Sequence, residues 1–227
     1  MSFSYDEHAR GCNPDDLLVQ ICRTHQGEPV SQEQINLIID AIKTGLSLDE
    51  GDRVLEVACG NGSLSHYLFA DCKGYLGFDI SDFLIEVARK NFQREPDFIF
   101  FPASVMSGLM AASNSYSYNK LLCYAAVQYM SDELLVDKLN FVKTNFPYIK
   151  RIFWGNIPDK EQSNKFFKQV VVNESVLNDT TTAIGKWRSQ EDIKSIVTES
   201  GWNCEFQKMP PNFYASEYRF DAVLTYE

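Results

Sequence analysis

The chain has 227 residues, 44% of them hydrophobic and 13% aromatic, enough apolar mass for one full core and too much for disorder on a large scale. Its formal net charge is −10 and no basic tract relieves it, which disfavours phosphate backbones and anionic membranes; neither nucleic acid nor a membrane is an expected partner. The six cysteines show no CxxC or Cys/His spacing and read as small buried apolar residues, so no metal set is expected. No apolar run approaches the roughly 20 residues of a membrane span. Met1-Ser2-Phe3-Ser4-Tyr5-Asp6-Glu7 is too polar and acidic for a signal peptide, and the expected location is cytoplasmic.

In chain order, Asn13-Pro14-Asp15-Asp16 predicts the start of a short helix running to about Cys22. Ser31-Gln32-Glu33-Gln34 reads as a capping box, followed by a helix whose inner face is Ile35, Ile38, Ile39, Ile42 and Leu46. Strands are then expected at Arg53 to Val57, Gly74 to Phe78, Phe98 to Phe101, Asn119 to Cys123 and Ile149 to Trp154. The helices between them are Leu64 to Ala70, Phe83 to Phe92, Val105 to Ala112 and Asp132 to Asn145. This alternation predicts an α/β protein with a mainly parallel sheet covered on both faces. Beyond Trp154 come a weak helix from Asp159 to Val171, a polar stretch from Asn173 to Thr182, and a helix capped by Ser189 and stopped by Gly201. Two closing strands, Asn203 to Gln207 and Arg219 to Thr225, flank the aromatic loop Met209 to Tyr214. The domain reading is an N-terminal helical cap over residues 1–47 and an α/β domain over 48–227.

The most informative segment is Val54 to Ser65. A strand delivers Glu56 and then enters the small-residue turn Gly60-Asn61-Gly62, which leads into a helix. Seventeen residues past Gly62 a second strand ends on Asp79. A glycine turn at a helix start suits a nucleotide, and an acid ending the next strand suits ribose hydroxyls. A carboxylate ending the first strand would repel a pyrophosphate there, yet it suits the α-ammonium of a methionine-type tail. A nicotinamide-dependent oxidoreductase is therefore the disfavoured alternative.

These residues resemble the class I S-adenosylmethionine-dependent methyltransferases over roughly residues 51–158, with weaker likeness to the end. Val54-Leu55-Glu56-Val57-Ala58-Cys59-Gly60-Asn61-Gly62 is similar to the family's first motif, with Ala58 where the family more often has glycine. Alanine there is expected to be tolerated if its φ stays negative. Gly77-Phe78-Asp79-Ile80-Ser81 resembles the second-strand motif. At the third-strand end the family often has aspartate near the adenine amino group, and Ala103 or Ser104 stands here, with Val105 beside it. Tyr118 to Tyr129, which includes Cys123, resembles the fourth strand and the turn beside the sulfonium. Ile152 to Pro158 resembles the fifth strand and its exit. The resemblance implies a Rossmann-like, seven-stranded, mostly parallel sheet with its last strand antiparallel, an N-terminal helical lid, and S-adenosylmethionine as cofactor, with S-adenosylhomocysteine as product. It also implies cofactor contacts from Glu56, Ala58, Gly60, Asn61, Gly62, Asp79, Ile80, Ser104, Val105 and Cys123.

Methyl transfer from a sulfonium needs an aligned acceptor and excluded water, and needs a base only when the acceptor holds a proton. Candidate catalytic residues are Tyr124 and Gln128, which follow the fourth strand, and His25 beside the N-terminal helix. Of the other two histidines, His66 is expected to be structural and His8 flanks the lid. Tyr5, Asn156, Tyr214 and Arg219 rank second. An aromatic rim of Phe3, Tyr5, Tyr124, Tyr129, Trp187, Phe213 and Tyr214 favours an apolar or ring-bearing small acceptor, against the alternative that these rings fill the core. The Asn/Asp-Pro-Pro-Tyr/Phe tetrad of amino-methylating nucleic-acid and glutamine enzymes is absent, with Cys123-Tyr124-Ala125-Ala126 in its place. The expected activity is O- or N-methylation of a small acceptor of sugar or secondary-metabolite type. The alternative is a protein methyltransferase or a non-catalytic partner subunit of the same fold.

Overall fold

The computed structural model describes residues 3–112, 117–168, 170 and 172–227. The N-terminal part holds α1 (Tyr5–Gly11), α2 (Leu17–Gln20), the ribbon β1 (Thr24–His25) and β2 (Glu28–Pro29), and α3 (Gln32–Leu46). The alternating part follows with β3 (Arg53–Val57), a 3-10 helix Ser65–Asp71, β4 (Gly74–Asp79), α4 (Asp82–Phe92), β5 (Phe98–Pro102) and α5 (Val105–Ala112). Next come β6 (Lys120–Tyr124), a 3-10 turn Val127–Tyr129, α6 (Asp132–Asn145) and β7 (Arg151–Pro158). The last part has a 3-10 turn Lys160–Gln162, α7 (Ser163–Phe166), α8 (Glu174–Leu177), α9 (Gln190–Glu199), β8 (Asn203–Gln207) and β9 (Arg219–Thr225).

The seven main strands form one sheet in the order β5-β4-β3-β6-β7-β9-β8. Pairings among β3 to β7 are parallel, while β9 runs antiparallel to both β7 and β8. Side chains alternate across this sheet, so neighbouring residues feed different cores. Leu55, Val57, Leu121 and Trp154 pack with α5, α6 and α9 through Leu109, Leu135, Leu139 and Ile193. Val54, Tyr75, Leu122 and Phe153 pack on the other face with Ile35, Ile38 and Ile42 of α3, Leu68, and Ala88 of α4. The α3 part of segment 1–47 is thus a layer of the fold, and only α1, α2 and the ribbon lie over the strand ends. Among the described residues no helix is long and apolar enough to cross a membrane, and no cluster of three or more His, Cys, Asp or Glu could hold a metal.

The chain departs from the sequence reading at particular places. The Asn13 side chain accepts from the backbone N–H of Asp15 in a local turn, at 3.0 Å, so the helix begins later, at Leu17. Ser31 caps α3 through the Gln34 N–H, but Gln34 does not close a capping box. Its amide donates to the Asn212 carbonyl at 2.9 Å and accepts from the Tyr214 N–H at 2.8 Å, fastening the aromatic loop to α3. The stretch expected as helix from Leu64 to Ala70 is a 3-10 helix. The strand expected to end at Trp154 continues to Pro158 through a bulge between Trp154 and Ile157, where Asn156 has φ +61°. The helix expected from Asp159 breaks into a 3-10 turn and α7, which ends at Phe166; Val171 lies outside the described residues. The N-terminal helix α1 was not expected at all. Ser4 caps it, and Asp6 and Glu7 complement its dipole.

Candidate active site

β3 has β4 and β5 on one side and β6 and β7 on the other, so the crevice where chain order reverses lies at its C-terminal end. A cavity of about 440 Å³ occupies that crevice. Its floor holds Glu56, Ala58 and Gly60 from the first strand and turn, Asp79 and Ile80 from the second, Ala103, Ser104 and Val105 from the third, and Tyr124 from the fourth. Its roof is Tyr5 of α1 with Ile21 and Arg23 between α2 and the ribbon.

Glu56 is fully buried. Its Oε2 accepts from the Ser65 hydroxyl at 2.5 Å and the Tyr75 hydroxyl at 2.8 Å, and no partner is found for Oε1 among the described residues. Burial pushes its carboxyl up to about 7, against the two hydroxyl donors and with help from the Asp79 charge. Asp79 accepts from the Gly60 N–H through Oδ2 and from the Ser81 N–H through Oδ1, each at 2.9 Å. Burial raises this carboxyl as well, opposed by those backbone donors. One acid thus braces the glycine turn from the neighbouring strand, and each of its oxygens keeps a lone pair for a hydroxyl.

The turn is more strained than expected. Ala58 has φ +58°, so the condition on which alanine was to be tolerated is not met. Ala125, just after β6, has φ +55° and donates its N–H to the Gly155 carbonyl. With Asn156, three non-glycine residues at the ends of β3 and β6 and inside β7 adopt left-handed backbone beside the crevice.

The structure divides the expected site residues. Glu56, Ala58, Gly60, Asp79, Ile80, Ser104, Val105 and Tyr124 line the cavity. Asn61, Gly62 and Cys123 do not. Asn61 is buried, donating to the Leu17 carbonyl and the Gln20 side chain, and so ties α2 to the glycine turn. Gly62 (φ +73°) gives close approach to Phe92, Phe100 and Ala88. Cys123 is buried in the sheet.

Gln128 and His25 also lie away from the cavity. Gln128 turns back to donate to the Ala125 carbonyl at 2.9 Å, beneath Gly185. His25 is exposed on the ribbon with its ring 5.6 Å from that of Tyr214. His66 stacks on Phe92 in a structural role. Of the aromatic rim, Tyr5, Tyr124 and Tyr129 line the cavity and Phe3 an adjoining one, while Trp187 and Phe213 are core. Arg23, Ile21, Met106, Met130 and Leu134 line the cavity unforeseen. They sit in two helices and in turns whose pattern reports only burial, and Arg23 gave no signal of being buried.

Tyr5 and Tyr129 meet hydroxyl to hydroxyl at 2.7 Å, and Tyr129 donates to the Ala183 carbonyl at 2.7 Å, so Tyr5 is the donor between them. Asp6 accepts from the Ser81 hydroxyl at 2.6 Å. These bonds hold α1 across the mouth. Burial keeps the Tyr5, Tyr124 and Tyr129 phenols protonated.

Residues 54–142 match the family model described as a methyltransferase domain. Residues 54–142 carry a methyltransferase domain, and the sheet around them has the class I methyltransferase fold. The domain's cofactor is S-adenosylmethionine, and the open Glu56 Oε1, the left-handed turn and the Asp79 carboxylate fit that group. Solved structures share the methyltransferase fold at low identity. The cyclopropane synthase MmaA2 from Mycobacterium tuberculosis superposes with a TM-score of 0.70 at 12% identity, covering 100% of this methyltransferase and 99% of that chain. An S-adenosylmethionine-dependent methyltransferase from Leishmania major gives 0.66 at 15% identity, covering 98% and 81%. The magnesium protoporphyrin IX methyltransferase ChlM from Synechocystis PCC 6803, with S-adenosylmethionine bound, gives 0.59 at 15%, covering 98% and 90%. No curated protein matches the methyltransferase sequence. The names of these neighbours span different acceptor chemistries, so the fold leaves the acceptor open.

Proposed function

We propose that this methyltransferase acts on an oxygen or nitrogen of a small acceptor, of sugar or secondary-metabolite type, and works in the cytoplasm. The observation that carries the reading is the roofed cavity. At about 440 Å³, partly covered by Tyr5, Ile21 and Arg23, walled by Tyr124 and Tyr129 and open beside the exposed Ile80, it suits one cofactor and a small partner better than a polymer strand. The net charge of −10 disfavours a nucleic-acid substrate, and the six unpaired cysteines favour a reducing compartment.

In this reading Glu56 Oε1 takes the ammonium of the donor, Asp79 the ribose hydroxyls, and Ser104 the adenine edge, with Ile80 and Val105 packing on the ring. When bound, the donor supplies an electrophilic methyl group. The protein's share is alignment and exclusion of water: Tyr124 walls the acceptor side, and α1, α2 and the ribbon act as the lid. With its phenols protonated and His25 outside, the acceptor side of the cavity offers no neutral-pH base among the described residues. An acceptor atom that already holds a free lone pair fits best.

The test is turnover of methyl-labelled donor with a small-metabolite fraction against protein and nucleic-acid fractions. Label in a low-mass product supports the reading, and label only in macromolecules overturns it.

A further inference from the structure

Two buried cations lack a carboxylate partner among the described residues, Lys138, which lies against the Met130 thioether, and Arg23, and of the two only Arg23 lines the cavity. It is 9% exposed, its Nε has no hydrogen-bond partner, and no carboxylate lies within salt-bridge distance of it among the described residues. The residues outside that description include no Asp or Glu. What surrounds the guanidinium is aromatic: it lies 5.1 Å from the centre of the Tyr124 ring, and the phenols of Tyr214 and Tyr5 act on it electrostatically. A buried cation with several free N–H donors and only neutral neighbours destabilises a fold, and proteins keep such a group where a ligand completes it.

The position is fixed. The Arg23 N–H donates to Leu18 and its carbonyl accepts from Val30, so the ribbon holds the residue over the cavity. Arg23 sits on the acceptor side: its ring partner Tyr124 ends β6, across β3 from the β4 strand that carries Asp79. The groups acting on Glu56 are Ser65, Tyr75 and Asp79, with Arg23 not among them.

We infer that Arg23 anchors an acid group of the acceptor, and that the substrate class is therefore a small ring-bearing or apolar carboxylic acid. This rests on the small-acceptor reading. The fork of a guanidinium matches a carboxylate through paired N–H···O bonds, and the phenols of Tyr5, Tyr124 and Tyr214 can bear on the body of such a molecule. The anchored acid need not be the methylated group.

The experiment compares wild type, Arg23→Met and Arg23→Lys. Without ligand, Arg23→Met should melt at a higher temperature than wild type, because an uncompensated charge is gone. Benzoate, titrated into protein saturated with S-adenosylhomocysteine, should bind wild type saturably. It should bind Arg23→Met at least about tenfold more weakly and Arg23→Lys in between, with S-adenosylhomocysteine itself binding all three within about twofold.

Three results overturn the inference. A lower melting temperature for Arg23→Met with unchanged benzoate binding makes the residue structural. An Arg23→Met loss of S-adenosylhomocysteine binding, with methylthioadenosine (which lacks the amino-acid tail) unaffected, assigns the guanidinium to the donor's own carboxylate. Absence of saturable benzoate binding to wild type removes the acid anchor. Failure of the small-acceptor reading is seen separately, as benzoate binding through Arg23 without any low-mass methyl acceptor.

Discussion

Two residues of the first strand and turn carry opposite kinds of strain. Ala58 is held at φ +58°, a region that disfavours a side chain by about 1–2 kcal/mol, whereas glycine gives back about 0.5–1 kcal/mol in unfolded-state entropy. Ala58→Gly should therefore raise unfolding stability by up to about 1 kcal/mol in denaturant titrations and leave donor binding unchanged; a destabilised variant would mean that the alanine methyl is packed. Glu56 is strained electrostatically, since burial moves its carboxyl from 4.5 to about 7. The native state keeps this proton where the unfolded chain has lost it. Stability therefore falls as pH rises from 4.5 towards 7, by roughly 3 kcal/mol at about 1.4 kcal/mol per unit. A bound ammonium favours the anion and reverses that penalty. S-adenosylhomocysteine affinity should then drop about tenfold per pH unit below 7. In Glu56→Gln the affinity should be weaker and this slope should vanish, leaving only what Asp79 contributes to both proteins. Equal slopes in the two would show that Glu56 does not meet the ammonium.

At the scale of elements, the strand ends decide what the cavity sees. A Cβ on Gly155 would lie 2.3 Å from the Tyr124 ring and 2.8 Å from Phe153, so Gly155→Ala must push the Tyr124 ring off its place. We expect this variant to lose about 1–3 kcal/mol of stability by overpacking and to lose turnover beyond any loss of donor binding. Retention of full turnover would place Tyr124 outside the acceptor path. The sheet itself was legible: β3, β4, α5, α6, β8 and β9 were read within a residue at either end, because strands buried on both faces read as short apolar runs and helices with one buried face keep a 3.6 period. The contacts Glu56 and Asp79 offer the cavity were legible for the same reason, as acids at strand ends beside glycine. What escaped depends on partners distant in the chain. Gln34 reads as a capping residue until Asn212 and Tyr214 are beside it, and Gln128 reads as a pocket residue until its amide folds back on Ala125. The buried Arg23 and the helix α1 owe their places to tertiary contacts that no local period encodes.

At the scale of the molecule, Phe3 and α1 join three distant parts of the chain across the cavity mouth. Tyr5 donates to Tyr129, Asp6 accepts from Ser81, and the Phe3 N–H donates to the Thr181 carbonyl at 2.8 Å. Because Tyr129 donates in turn to Ala183, one hydroxyl ties α1 both to the turn after β6 and to the segment after α8. Tyr129→Phe keeps the ring that lines the cavity and removes two hydrogen bonds, each worth about 1 kcal/mol net. These bonds hold α1 more than they hold the core, so the loss should appear locally, as openings of α1 with little change in global unfolding. Hydrogen exchange should show Tyr5–Gly11 about fivefold to thirtyfold less protected in Tyr129→Phe. S-adenosylhomocysteine should leave the variant faster in stopped flow at a nearly unchanged association rate. If exchange in α1 and the release rate both match wild type, the Tyr129 hydroxyl does not hold α1, which then rests on the Asp6–Ser81 and Phe3–Thr181 bonds and its apolar contacts.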